Sequence, residues 1–373
     1  MLESGIRLML LIGATNPEPA PLEVIDALVS LEVTNNDSGR DGFQMTFTLG
    51  KYLPADDDYR LLSQPFFEPP NRVIIAVTIG NILVPQVLID GIITNHQIAP
   101  SNTPGGATLV VTGEDISLRL DLEDKNETYS DQADSSIVTS ILGRYGDCDL
   151  APAVTPTDDT PQENQRLTTQ QGTDLAFIKQ LAQRNGFVFY VEPRQLRVNV
   201  AHWGLQNFDS PPQPALSLNL GPHTNVESLN FTFNALGPVT PRITIVEPRS
   251  RTAIPIPVPG ALRPPLARRP TVSLRQTLPR NTANLDQTQA ALEALSNSSE
   301  AADAVTGSGQ LDAVRYGRVL RARNLVDVRG VGATYNGRYY VKQVTHRLKR
   351  GEYKQSFSLS REGRGFLLRG VVT

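Results

Sequence analysis

The 373-residue sequence is poor in the side chains that build disulfides, metal centres and membrane spans. Its single cysteine, Cys148, excludes an intrachain disulfide framework and any multi-cysteine zinc site, and reads as a small packed side chain. The four histidines, His96, His202, His223 and His346, stand far apart with no HxxH or HExxH spacing, so no two share a helix face as a metal pair would. No metal and no cofactor is expected. No apolar run reaches the roughly 18 residues that cross a bilayer. The short apolar stretch from Leu8 to Ile12 lacks the basic lead and long apolar core of a signal peptide. A chain made in the cytoplasm, with no membrane span, is expected.

Catalytic and nucleotide-binding spacings are missing too. Asp56, Asp57 and Asp58 lack the central glycine and closing glutamate of a calcium loop and read as a solvated turn. Gly50 and Lys51 resemble the end of a phosphate loop, but Met45 stands where its first glycine belongs and Tyr52 where Ser or Thr is needed. Gly330 and Gly332 in GVGATYNG lack the third glycine of a dinucleotide fold and lie among strand patterns. There is no GxSxG elbow and no placed pair of acid and nucleophile. The expectation is a structural protein rather than an enzyme.

What is present is core material and unevenly placed charge. Hydrophobic residues make up 39% and charged residues 20%, enough to bury two or three domains. Net charge is −3, yet residues 112–163 hold 13 acidic against 3 basic side chains, and residues 311–373 hold 14 basic against 4 acidic. Such a dipole suits a nucleic-acid surface, or copies of one chain docking acidic face to basic face.

Periodicity gives the organisation. Leu31 and Val33, the turn NNDSGRDG, and Phe43, Met45, Phe47 and Leu49 alternate with polar residues as a β-hairpin buried on one face. VIIAVTIG, ILVPQVLIDGIIT and ATLVVTG add strands punctuated by Gly80, Gly91, Gly105 and Gly106. The period then changes. Asp134 is expected to cap a helix burying Ile137, Val138, Ile141, Leu142 and Tyr145 and stopping at Gly146; a second runs from Thr173 to Gly186, followed by the strand FVFYV. Alternation returns in LNFTFN and RITIVE, breaks over the six prolines of residues 252–270 and an Ala-rich helical stretch, and resumes from Leu311. The fold class expected is mainly β, α+β overall, with antiparallel sandwich or barrel units.

The chain closes on GRYYVKQVTHRLKRGEYKQSFSLSREG, two long strands around a basic turn. This stretch resembles the C-terminal signature of phage tail hub proteins of the late control gene D family, through Tyr339, Tyr340, Val341, Val344, Thr345, His346, Gly351, Tyr353, Phe357, Leu359 and Arg361. Residues 129–146 and 173–192 are similar to that family's helical inserts, and the resemblance runs over about 24–363. It extends to the N-terminal hub part of VgrG-type spikes of contractile injection systems.

The resemblance implies a baseplate hub and a division of the chain: an N-terminal arm over 1–23, a tube-like β-barrel over 24–113, an α+β insert over 114–204, a second tube-like barrel over 205–251 and 309–363 interrupted by an insertion over 252–308, and a tail over 364–373. It further implies a homotrimer adapting a sixfold inner tube to a threefold spike, with tube protein, a separate spike polypeptide, other baseplate components and cargo in the lumen as its contacts. Val341 and Val344, an odd number of residues apart, are expected on opposite faces, one toward the core and one toward a partner or the insert. The rival reading is a nucleic-acid-binding β-barrel exposing Tyr339, Tyr340 and Tyr353 beside basic residues; a tail-associated hydrolase is a third.

Overall fold

The computed structural model describes residues 5–50, 52–53, 58–80, 84–103, 105–159, 167–246, 253–256, 263–278 and 303–367. The Asp56 and Asp57 turn and most of the Ala-rich helix expected over 283–305 lie outside these residues; the last three residues of that stretch are not helical, Val305 opening a strand.

Strand Ile6–Gly13 (β1) and the short helix Leu22–Ala27 (α1) precede the hairpin Leu28–Asn36 (β2) and Gly42–Thr48 (β3). In β2 and β3 the alternation does what it should: Leu31, Val33, Phe43, Met45 and Phe47 are buried, while Gln44 and Thr48 face out. Arg72–Ile79 (β4), Gln86–Ala99 (β5) and Thr108–Asp115 (β6) continue the sheet. β4 is buried on both faces, since Val73, Ile75 and Val77 enter the main core while Ile74 and Ala76 pack with Leu11, Val87 and Leu196. The stretch expected to be an N-terminal arm is in fact a core strand: all eight residues of β1 pair with β4, because the apolar run around Leu10 has a sheet edge to cover.

The α+β region contains Asp124–Tyr129 (β7), Asp134–Gly143 (α2), Leu150–Val154 (β8), Thr168–Thr173 (β9), Asp174–Arg184 (α3), Val188–Gln195 (β10) and Val198–Gly204 (β11). Ile137, Val138, Ile141, Leu142, Leu175, Ile178 and Leu181 form a second core around Trp203, whose indole N–H donates to the Ile178 carbonyl at 3.2 Å. Thr173 caps α3 by accepting from the Ala176 amide. Asp134, expected as the cap of α2, lies inside its first turn instead, since its carboxylate is drawn to Arg184 and Asn185 at the end of α3. α2 stops at Gly143, three residues earlier than expected.

The C-terminal part supplies Gln213–Ser217 (β12), Val226–Phe233 (β13), Ala267–Pro270 (β14), Val305–Asp312 (β15), Ala313–Tyr316 (α4), Leu325–Arg329 (β16), Gly337–Lys349 (β17), Glu352–Arg361 (β18) and Gly363–Phe366 (β19). The mainly β architecture is as expected. One 13-stranded sheet runs β13-β15-β18-β17-β2-β3-β6-β5-β4-β1, with Glu18–Pro19 at its far end and β12 and β16 attached beside β17. Neither β-rich part closes on itself among the described residues. The reason is the length of β17: its first part pairs with β16, and the rest of that edge, Gln343–Lys349, pairs with Asn36–Ser30 of β2. The 252–308 stretch is also less detached than prolines suggest. Leu266 and Ala267 are buried, β14 pairs with β19, and Asp303, held by Arg263 at 2.5 Å and Lys342 at 2.9 Å, leads into the buried Ala304 and Val305.

Candidate interaction surface

The β17–β18 ribbon turns at Gly351, whose φ of +81° is the left-handed conformation that glycine adopts without cost. Register is continuous from Lys349↔Glu352 to Gln343↔Ser358, then slips, so that Val341 faces Leu359 and Lys342 is extra. This bulge adds one residue to the count between Val341 and Val344 and cancels their odd spacing. Both side chains therefore enter the same main core, each 0% exposed, where sequence parity placed them on opposite faces.

The other signature residues also point into the chain. Tyr339, Tyr340, Tyr353, Phe357 and Arg361 are buried, Thr345 nearly so, and Gly351 sits at the exposed turn. His346 is 1% exposed; its Nδ1 lies 2.8 Å from the Tyr353 hydroxyl and 3.1 Å from Gln355 Nε2, and its Nε2 lies 3.0 Å from Asn35 Oδ1. With Asn35 Nδ2 donating to Asp41 and to the Leu88 carbonyl, Asn35 Oδ1 must accept, which puts the His346 proton on Nε2. Burial, reinforced by the nearby Arg321 cation, pulls the imidazole pKa down to about 3. This is a neutral structural histidine joining β17 to β2.

Next to it lies a charged junction that sequence reasoning missed. Arg323 donates to Asp41 Oδ1 and the Asn36 carbonyl, both at 2.6 Å, with its guanidinium 4.4 Å from the Tyr190 ring centroid. The Asp41 amide donates to Asp115 Oδ2 at 2.8 Å, and the other Asp115 oxygen accepts from the Ser117 amide where the α+β region begins. Burial and then the Asp41 charge raise the Asp115 carboxyl to about 6. Arg72 clamps Asp90 through two bonds of 2.8 and 2.7 Å, and Asn199 of β11 donates to the same carboxylate. These contacts tie both β-rich parts to the α+β region. Removing one partner from such a buried pair costs roughly 3–5 kcal/mol, because the other is left charged and dry. Arg323 and Asp41 are 282 positions apart, a separation at which periodicity carries no signal.

Arg361 has a different use. Its guanidinium, 4.2 Å from the Tyr339 ring centroid, donates to the Asn336 and Thr334 carbonyls and pins the 330–336 loop against the end of the ribbon.

What remains open lies at the two ends of the eight-strand run from β13 to β5. β13 pairs on one edge with β15 and has no strand on its other edge among the described residues. At the other end, β5 pairs with β4 only up to Ile92, so Thr94–Ala99 has β6 on one edge, no strand on the other, and every side chain exposed. Chemistry is sparse: among the described residues no group of three or more His, Cys, Asp and Glu is placed to hold a metal ion, and Cys148 is buried with its thiol pushed up to about 11. No described helix is long and apolar enough to cross a membrane.

The structure is similar over nearly its whole length to a tail protein from Neisseria meningitidis MC58, with a TM-score of 0.63, 13% identity, and coverage of 97% of this chain and 98% of that one. It is similar to the prophage MuSo2 43 kDa tail protein from Shewanella oneidensis, with a TM-score of 0.59, 13% identity, and coverage of 95% and 97%. The E. coli c3393 protein, a component of the type VI secretion system described as structurally similar to bacteriophage T4 tail proteins, matches with a TM-score of 0.53, 14% identity, and coverage of 93% and 77%. A family profile described as the Alg8 N-terminal domain matches residues 44–208, under half of the chain, and leaves out β2, the strand to which β3 of that stretch is bonded. No curated protein matches the sequence. The chain has the fold of phage tail and baseplate hub proteins. Its fold neighbours are tail proteins and a secretion-system component.

Proposed function

We propose that this protein is the structural hub of a phage tail or phage-like contractile injection particle, a homotrimer that adapts a sixfold inner tube to a threefold spike. The observation that carries this reading is the eight-strand run β13-β15-β18-β17-β2-β3-β6-β5, four strands from each β-rich part, with one open edge on β13 and another on Thr94–Ala99 of β5 among the described residues. Two unlike edges pair head to tail, and head-to-tail contacts that close give a ring. Three copies would then present six four-stranded units around a lumen, sixfold in form and threefold in composition. In this reading residues 24–113 and the paired segments 205–251 and 309–363 are the tube-like units, residues 114–204 the outer α+β domain, and residues 252–308 an insertion. The signature residues hold the two units in one sheet rather than touching the partner. The tube protein, a spike and other baseplate components are the remaining contacts.

The nucleic-acid reading loses its footing because Tyr339, Tyr340 and Tyr353 are buried and cannot stack on bases. Native mass spectrometry of the purified chain tests the hub: a species of three times 40.7 kDa is expected. A strict monomer across micromolar concentrations, with no ring in images of the parent particle, would overturn it.

A further inference from the structure

The β14–β19 ribbon carries an arginine cluster that no carboxylate among the described residues neutralises. Arg268, Arg269 and Arg364, with Ala333, Thr334 and Phe366, line an open cleft of about 340 Å³. All three arginines are exposed, and among the described residues none has a carboxylate within ion-pairing distance. Arg269 and Arg364 are direct cross-strand partners. Like charges in that position repel and weaken the pairing. The carboxylate next in the ribbon, Glu362, is committed elsewhere: its Oε1 accepts from the Leu266 and Ala267 amides at 2.6 Å. By contrast, three basic side chains near the β17–β18 ribbon tip find carboxylates at home, Arg347 with Glu32, Arg350 with Asp26, and Lys354 with Glu227.

An anion in the cleft would relieve the Arg269–Arg364 repulsion, and guanidinium forks match carboxylates two bonds at a time. We propose that this cleft is a docking site for a carboxylate-rich segment of a partner polypeptide. A nucleic acid fits less well, since it calls for exposed aromatic platforms beside the cations. Here Phe233 lies 4.3 Å beneath the Arg364 guanidinium, and Tyr335 is stacked on Phe231. That the partner belongs to the same particle rests on the hub reading above; the cleft itself does not.

The test uses the full chain and a fluorescent six-residue polyglutamate peptide, with anisotropy read at low salt. Saturable binding is expected. The double variant Arg268→Glu/Arg269→Glu should weaken it at least tenfold, about 1.4 kcal/mol. Lys349→Glu/Arg350→Glu, which makes the same change in net charge at the exposed ribbon tip, should leave it within twofold. Because the cluster residues are exposed, the variant is expected to fold, and its far-ultraviolet circular dichroism should match the parent; if it does not, Arg268→Gln/Arg269→Gln replaces it. Absent binding, equal loss in both double variants, or tighter and cluster-dependent binding of an oligothymidylate overturns the proposal. Light-scattering mass on the same samples separates the two readings: a trimer that ignores the peptide sinks the cleft alone, and a monomer that binds it sinks the trimer alone.

Discussion

Acid should loosen the join between β17 and β2 through one side chain. His346 is neutral and buried in the fold, with its pKa depressed to about 3, whereas an unfolded histidine titrates near 6.5. A depressed pKa contributes stability that is fully present above the unfolded value and is lost as pH falls toward the folded one. Between pH 7.5 and pH 5.0 the unfolded state gains most of a proton that the fold refuses, which amounts to about 2 kcal/mol. Asp115 acts the other way in the same window. Its carboxyl, raised to about 6 by burial and by Asp41, is easier to hold when protonated, so its contribution improves as pH falls through 6. The parent profile is therefore a flattened sum, and a difference experiment is needed. His346→Gln keeps one donor and one acceptor for Asn35 and Tyr353 and does not titrate. Urea unfolding of both chains at pH 7.5 and 5.0 should show the parent losing about 2 kcal/mol more than the variant over that interval, whatever the variant's starting stability. Parallel profiles, within about 0.5 kcal/mol, would refute the claim that His346 is held neutral by burial.

Deleting a residue of β17 should be tolerated only at the bulge. Lys342 is the extra residue, so its deletion should leave Val341 and Val344 two apart on the core face and the chain soluble, whereas deleting Thr345 from the regular ladder puts Val344 and His346 on opposite faces and an insoluble chain is expected; Lys342→Ala, losing a half-exposed contact with Asp303, should shift stability by no more than about 1 kcal/mol in a thermal melt. Gly330→Ala should cost more than about 2 kcal/mol, since φ is +82° and the new Cβ would fall 1.6 Å from the Leu218 carbonyl oxygen; an unchanged melting temperature would contradict the loop geometry. Gln97→Lys/Ile98→Lys, both on the exposed open end of β5, should leave the fold intact and move the light-scattering mass from three copies to one. Replacing residues 279–302 with a Gly/Ser linker should preserve folding, provided Asp303 and Ala304 stay, because those two are held by Arg263 and the sheet; loss of the soluble chain would show the replaced stretch to be part of the core.

Local pattern was enough for most elements. Alternation in Phe43, Met45 and Phe47, the 3.6 period of Leu175, Ile178 and Leu181, and the cap at Thr173 each follow from a few neighbouring residues, because side-chain spacing along a strand or helix is fixed by backbone geometry. The long basic ribbon was visible as well, and its residues carried the resemblance to tail hubs that the fold bears out. What pattern could not supply was anything set by partners distant in sequence. Lys342 gives no local sign of being a bulge, since the extra residue exists only relative to β18. Arg323 and Asp41 look like surface charges until the chain folds back 282 positions and buries them together. The sequence by itself determined which segments would be strands and helices and which faces would be apolar; only the tertiary structure decided that β17 is shared between two β-rich parts, because a strand's edge is a hydrogen-bonding surface open to whichever strand the rest of the fold brings beside it.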